Sequence, residues 1–217
     1  MFVIVHNNYV VLGPMRWNRY RFQNFLIEEL EVAFDLADRN DAETAITVSD
    51  EIKILPVQTT LNPAYNPKIE MLHGPMWEFT DSAAISSYEV QPIAIEAVKN
   101  MLKEQVATER YSREITTVDV TINDTVYKFS TSRDTRNVIQ NALTASTSSF
   151  NWKMDRDTWV TLTNTELQAI LDAITVHVQS CFDWEYSTIA AINACTTSAE
   201  LDAIVIVEPK SPVPELT

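Results

Sequence analysis

The chain has 217 residues, 46% of them apolar and 21% charged, which is ordinary globular material for one or two domains with a sizeable core. A net charge of −14 argues against binding to a phosphate backbone, which needs clustered Lys and Arg, and two glycines are too few for the loops of phosphate- and dinucleotide-binding folds. Two cysteines, Cys181 and Cys195, cannot make a disulfide framework; the first residues lack the pattern of a signal peptide, and no run approaches the ~18 apolar residues of a membrane span, so folding in the cytoplasm of the producing cell is expected.

The first half reads as strands and turns. Residues 2–5 and 9–12 are apolar runs around Asn7-Asn8, and Asn tolerates positive φ, so a hairpin is predicted, ended by Gly13-Pro14. Phe22, Phe25, Leu26, Leu30 and Ala33 follow helical spacing over 21–38, until Asn40-Asp41 breaks the pattern. Two strands are predicted at 45–48 and 52–57. A turn-rich loop with Asn62-Pro63 and Asn66-Pro67 follows, then a strand at 68–72 before Gly74-Pro75. The segments Gly13-Pro14-Met15 and Gly74-Pro75-Met76 share one context, which reads as one turn type used twice, the alternative being a faint internal repeat.

The second half is more regular. Pro92 suits a first helical turn, and Ile95, Val98, Leu102 and Val106 share a face of a helix to about Arg113. Val118, Val120 and Ile122 alternate with polar residues into an Asn123-Asp124 turn and a returning strand over 126–130. Thr131 with Asp134 is the expected cap of a helix whose Val138, Ile139, Ala142 and Leu143 share a face. Trp152 and Trp159 flank a charged turn of another hairpin. The capping box Thr163-x-x-Glu166 opens the strongest helix, with Leu167, Ile170, Leu171, Ile174, Val178, Cys181 and Phe182 in one stripe that Glu185 breaks. A second box, Thr197 with Glu200, opens a short last helix, and residues 208–217, with three prolines, read as an extended tail. The fold class expected is α+β: a β-rich part over 1–90, then a helix-hairpin-helix-hairpin-long helix domain over 91–207.

Catalytic patterns are weak. His6, His73 and His177 have no ligand partner at metal-binding spacing, and His177 is expected to flank the long helix's apolar stripe. Asp155 with Asp157, and Asp183 with Glu185 around Trp184, are carboxylate pairs of the kind a glycoside hydrolase sets among aromatics, but both read better as solvated surface. No Gly-x-Ser-x-Gly elbow and no complete calcium loop exists. Arg16-Trp17-Asn18-Arg19-Tyr20-Arg21-Phe22 is the one basic and aromatic cluster, open to three readings: a single-stranded nucleic acid site, a protein interface, or a plain helix start.

The order of short features in the second half resembles a known domain. Glu109-Arg110-Tyr111 ends a helix, Tyr127-Lys128-Phe129-Ser130 ends a hairpin, and Thr131-Ser132-Arg133-Asp134 leads into a helix. Phe150-Asn151-Trp152-Lys153 pairs with Trp159-Val160-Thr161-Leu162-Thr163, and His177-Val178-Gln179 precedes a closing Thr197-Ser198-Ala199-Glu200-Leu201. Over roughly residues 95–207 this looks like a domain of unknown function that recurs in tailed-phage tail-fibre, fibre-assembly and baseplate-associated proteins. The resemblance implies a structural virion part, not an enzyme, with no cofactor or metal, bound to other tail proteins in a symmetric homo-oligomer and needing neither nucleic acid, membrane nor small-molecule substrate. The alternatives are a fibre-assembly chaperone absent from the particle and a tail-tip glycan hydrolase. The residues expected at interfaces are Arg16, Trp17, Arg19, Tyr20, Trp77, Trp152 and Trp159.

Overall fold

The computed structural model describes residues 1–36, 44–145, 148–154 and 156–206. The chain is mixed α+β, β-rich in its first part with helices in its second. It divides into two compact units, Met1–Ile93 and Ala94–Thr217. The expected tail at 208–217, the helix break at Asn40-Asp41 and the carboxylate Asp155 lie outside the described residues.

In the first unit β1 (Phe2–His6) turns into β2 (Tyr9–Met15) through Asn7 and Asn8, at φ 51° and 62°. Both residues thus take the left-handed conformation that a tight primed turn requires. After α1 (Arg19–Glu28) come β3 (Ile46–Thr47), β4 (Ile52–Thr59), β5 (Glu70–Phe79) and β6 (Ala84–Pro92). The sheet order is β2-β1-β4-β6-β5, with β3 added on β4. β1 is antiparallel to β2 and β4, and β4 meets β6 in parallel over residues 57–59.

The run Phe2-Val3-Ile4-Val5 is continuously apolar because both faces of β1 are covered. Phe2 and Ile4 pack with Phe22 and Leu26 of α1 and with Ile52 and Ile54. Val3 and Val5 pack with Leu55 and Ala84 on the other face, under Trp77 and Phe79. Each such buried side chain stabilises by roughly 1.5–3 kcal/mol relative to exposure.

Three expectations are corrected here. Gly13-Pro14 and Gly74-Pro75 do not end strands: β2 runs through the first to Met15 and β5 through the second to Phe79. Each Gly-Pro is a cis peptide after a positive-φ glycine, set where the register of an antiparallel pair shifts. The shared motif is therefore a bulge in an edge strand and not a turn. The first helix stops at Glu28, well short of 38, because the chain turns back: Glu31 takes φ 55°, and the Val32 N–H donates to Leu26 O at 2.7 Å. The Gln23 side chain then accepts from Leu36 N–H at 2.7 Å and donates to Phe34 O, which seats Leu36 fully buried. Pro92 ends β6 opposite Glu70 and is not helical; the next helix starts at Ile95.

In the second unit α2 (Ile95–Glu114) is followed by β7 (Thr117–Ile122) and β8 (Thr125–Ser130), paired antiparallel around Asn123 and Asp124 at φ 49° and 62°. Then come α3 (Arg133–Thr144), the antiparallel pair β9 (Ser149–Lys153) and β10 (Trp159–Thr163), α4 (Asn164–Ala194) and α5 (Ser198–Ala203). Val118, Val120 and Ile122 face Phe129, Ile139 and the α4 stripe of Leu167, Ile170, Ile174 and Val178 in one core. Both predicted capping boxes are present, with Thr163 and Glu166 opening α4, and Thr197 and Glu200 opening α5. At 1.5 Å per residue α4 is about 45 Å long. α2 runs antiparallel along it: Lys99 Nζ reaches Asn193 O (3.3 Å), Arg110 Nε reaches Glu185 (3.1 Å), and His177 Nε2 reaches Arg113 O (2.9 Å).

Candidate functional site

The second unit holds an open groove of about 400 Å³ between β8, α3 and the β9–β10 hairpin. This lies within the range of roughly 300–1,000 Å³ usual for ligand sites. α3 supplies one wall. Ser132 accepts the Thr135 N–H at 3.2 Å and fixes the helix start, so Thr135 and Val138, three apart, line the same side. Thr131, the expected cap, is instead fully buried and donates its hydroxyl to Glu114 O at 2.6 Å. Val138, expected on the buried face, is 55% exposed, while Ile139 one step round the helix takes the core position.

The hairpin supplies the opposite wall. Trp152 packs partly on the core, whereas Trp159 is 61% exposed with Lys153 Nζ 5.6 Å above its ring. Among the described residues the groove is lined by two cations, Lys128 and Lys153, and by no carboxylate. Lys128 is already paired across its hairpin with Asp119, Nζ to Oδ1 at 2.8 Å, so the groove's surface is chiefly apolar. It can grip an apolar or aromatic side chain.

A buried ionic network holds the frame behind the groove. Glu114, the last residue of α2, is 1% exposed. Its carboxylate accepts from Arg136 of α3 at 2.7 Å and from Arg110, with Arg133 at 3.6 Å. Burial on its own raises the acid's pKa. The hydrogen bond from Arg136 and the charges of Arg110, Arg133 and Arg136 outweigh it, and the carboxyl is held below its ordinary value. Arg110 also pairs with Glu185 and lies 4.7 Å over the Phe182 ring; Arg113 pairs with Glu109 at 3.0 Å and lies 3.9 Å over Trp184.

His177 is buried and does not flank the stripe as expected. A carbonyl only accepts, so its Nε2 carries the proton toward Arg113 O, satisfying an end-of-helix carbonyl of α2. Cys181 lies 3.8 Å from that nitrogen, and burial pushes its thiol pKa up, as for an inert packing residue.

The remaining residues expected at interfaces are in the first unit. Trp17 is half-buried, stacked on Phe22 at 5.0 Å and edge-on to Phe2 at 5.5 Å, so it plugs the core under α1. Trp77 is half-buried too, stacked with Phe79 over β1. Arg16 is exposed. Arg19 lies 4.7 Å over the ring of Tyr20 and donates to its hydroxyl at 3.0 Å; Tyr20 is 71% exposed. The structure thus brings Trp152 and Trp159 together at one groove and leaves the first-unit set divided between core and surface. Of the carboxylate pairs, Glu185 is tied to Arg110, and Asp183 accepts from Gln179 at 2.8 Å. Among the described residues no group of three or more His, Cys, Asp or Glu could hold a metal ion, and no helix is long and apolar enough to cross a membrane.

Residues 97–205 match a family described as a domain of unknown function, DUF4376. No curated protein and no solved structure matches the chain.

Proposed function

The chain belongs to the DUF4376 domain family, and on that premise we propose that it is a structural component of a tailed-phage virion, in the tail, baseplate or fibre-attachment region, that works by protein–protein contact and not by catalysis. The observation that carries the binding part of this reading is the groove of the second unit. Trp159 and Val138 stand exposed in its lining beside a half-buried Trp152, as interface anchors do. In this reading the helix-hairpin-helix-hairpin-long helix order forms a rigid frame. The groove presents the frame to a neighbouring tail protein, and several copies act around the tail's rotational symmetry. The phage assignment is supported by the resemblance over residues 95–207.

A second reading has support in the same place. An open groove also suits a chaperone that holds a fibre protein during folding and then leaves. Mass spectrometry of purified particles, quantified against the major tail protein, separates the two. A fixed low multiple of copies is expected. Absence from particles with abundance in infected cells would overturn the virion reading in favour of the assembly factor.

A further inference from the structure

Residues 30–36, just past α1, carry the pattern of a strand without a sheet. Leu30, Val32 and Phe34 pack on the core that holds Phe22 and Leu26, and Leu36 is fully buried in it, while Glu31, Ala33 and Asp35 are exposed. Such alternation belongs to an extended chain with one covered face. Yet the segment joins no strand of the sheet. Among the described residues its backbone N–H groups bond to α1 or locally: Leu30 to Phe25 O at 3.2 Å, Val32 to Leu26 O at 2.7 Å and Phe34 to Val32 O at 3.1 Å.

The far end of the segment is held by one side chain. Gln23 of α1 accepts the Leu36 N–H at 2.7 Å and donates to Phe34 O. A neighbouring strand in a parallel ladder would bond the same two groups, from the C=O and N–H of one residue. A glutamine carboxamide combines both functions, so Gln23 stands in for a strand one residue long. Segments with few backbone hydrogen bonds open locally, as cooperative units, while the rest of a domain stays folded. This one can leave without breaking a ladder bond of the sheet.

We propose that residues 30–36 form a strap that opens and closes over the first unit's core as one piece, and that Gln23 is its latch. Opening breaks the two bonds to Gln23 and the one from Val32 to Leu26, lifts Leu36 out and uncovers part of the core around Phe22 and Leu26, while β1 and β4 keep their ladder. The latch needs a donor and an acceptor together. Gln23→Glu supplies only acceptors when ionised, so its carboxylate faces Phe34 O with no proton between them. Protonated, the same group donates an O–H and still accepts, and both bonds are restored. The device lies in the first unit and does not rest on the reading of the groove.

The test is amide hydrogen exchange of the full chain, read by NMR in the parent, Gln23→Glu and Gln23→Leu at pH 7 and pH 4, with circular dichroism to check that each variant folds. Arg19, one turn before Gln23 on α1, and Glu31 and Asp35 of the strap are present in every chain, so comparison with the parent at each pH cancels them. At pH 7 the amides of Val32 and Leu36 are expected to exchange about tenfold faster in both variants, as two lost hydrogen bonds imply, with those of β1 and β4 unchanged. Val32 reports the strap as a whole, because its own acceptor on Leu26 is untouched. At pH 4, below the ordinary carboxyl value of about 4.3, Gln23→Glu is expected to regain the parent's protection and Gln23→Leu is not. No acceleration, acceleration confined to Leu36, or an equal acceleration in β1 and β4 overturns the strap. The same acceleration of Gln23→Glu at both pH values overturns the latch.

Discussion

Gly13 and Gly74 hold the same bulge at opposite edges of one sheet. Both have positive φ, at +100° and +143°. A Cβ on Gly13 would lie 2.6 Å from the Phe2 carbonyl oxygen, and one on Gly74 2.9 Å from that of Ser87. Phe2 and Ser87 are the residues that pair with Met15 and Met76, two places after each glycine. Both contacts are with backbone, which cannot swing aside. Gly13→Ala and Gly74→Ala are each expected to destabilise the protein by about 1–3 kcal/mol, the range for strained backbone, with Gly13 the worse because its contact is closer. Urea midpoints measure this; a loss under ~0.5 kcal/mol at both sites would contradict the shared bulge.

The same glycines mark where sequence reading stops. Local backbone chemistry was legible: Asn7-Asn8 and Asn123-Asp124 form the tight turns their tolerance of positive φ predicts, and Thr163 and Thr197 cap their helices with the glutamates three places on. Gly-Pro, read locally, is a stop signal. Its role inside a strand depends on Phe2 and Ser87, partners that no local window contains. The end of α1 is hidden for a similar reason, since it depends on the Gln23 side chain capturing Leu36. At the groove, the tryptophans flanking a charged turn were visible. Val138 was not, because periodicity placed it with Ile139 although the two point in different directions from the helix.

Composition likewise could not tell a plugging ring from an exposed one. Trp17 stacks on Phe22 and Phe2, so Trp17→Ala is expected to cost roughly 2–4 kcal/mol, toward the low side of core aromatic losses because the ring is half-buried. Tyr20, two residues past Asn18 and 71% exposed, touches Arg19 at the surface, and Tyr20→Ala is expected to stay within about 0.5 kcal/mol. Chemical denaturation of the two variants checks the contrast. Equal losses would place Trp17 outside the core.

Glu114 is the acid on which α2 and α3 converge. Removing one member of a buried, hydrogen-bonded charge cluster leaves the others uncompensated, typically at about 3–5 kcal/mol. Glu114→Gln is expected to lose that much stability. Arg133→Ala should lose under ~1 kcal/mol, because its side chain is 69% exposed and its nitrogen stands 3.6 Å from the carboxylate. A double-mutant cycle of Glu114→Gln with Arg136→Met should return a strong coupling, since Arg136 donates directly at 2.7 Å. Additive losses would mean that the two residues stabilise the unit separately.

Acid should weaken the second unit through three carboxylates held below their ordinary values. Glu166 is lowered first by the Thr163 backbone N–H and then by its hydroxyl, both at 2.8 Å. Glu200 is lowered first by the backbone N–H groups of Thr196 and Thr197, at 2.6 and 3.0 Å. Glu114 is lowered by its arginines against the opposing effect of burial. A carboxyl whose folded pKa lies below its unfolded one binds more protons when unfolded. Its stabilisation is therefore complete above the unfolded value of about 4.3 and is lost as pH falls through the folded value. Melting temperature should be flat from pH 7 to about 5 and then fall steadily. Thr163→Ala should cost ~1 kcal/mol at neutral pH as a lost helix cap and should shrink the acid-induced loss, because Glu166 then gains less from folding. Glu114→Gln should shrink it further. A melting temperature that rises below pH 4, or an acid limb identical in all three proteins, would show that these carboxylates do not stabilise the fold in their ionised form.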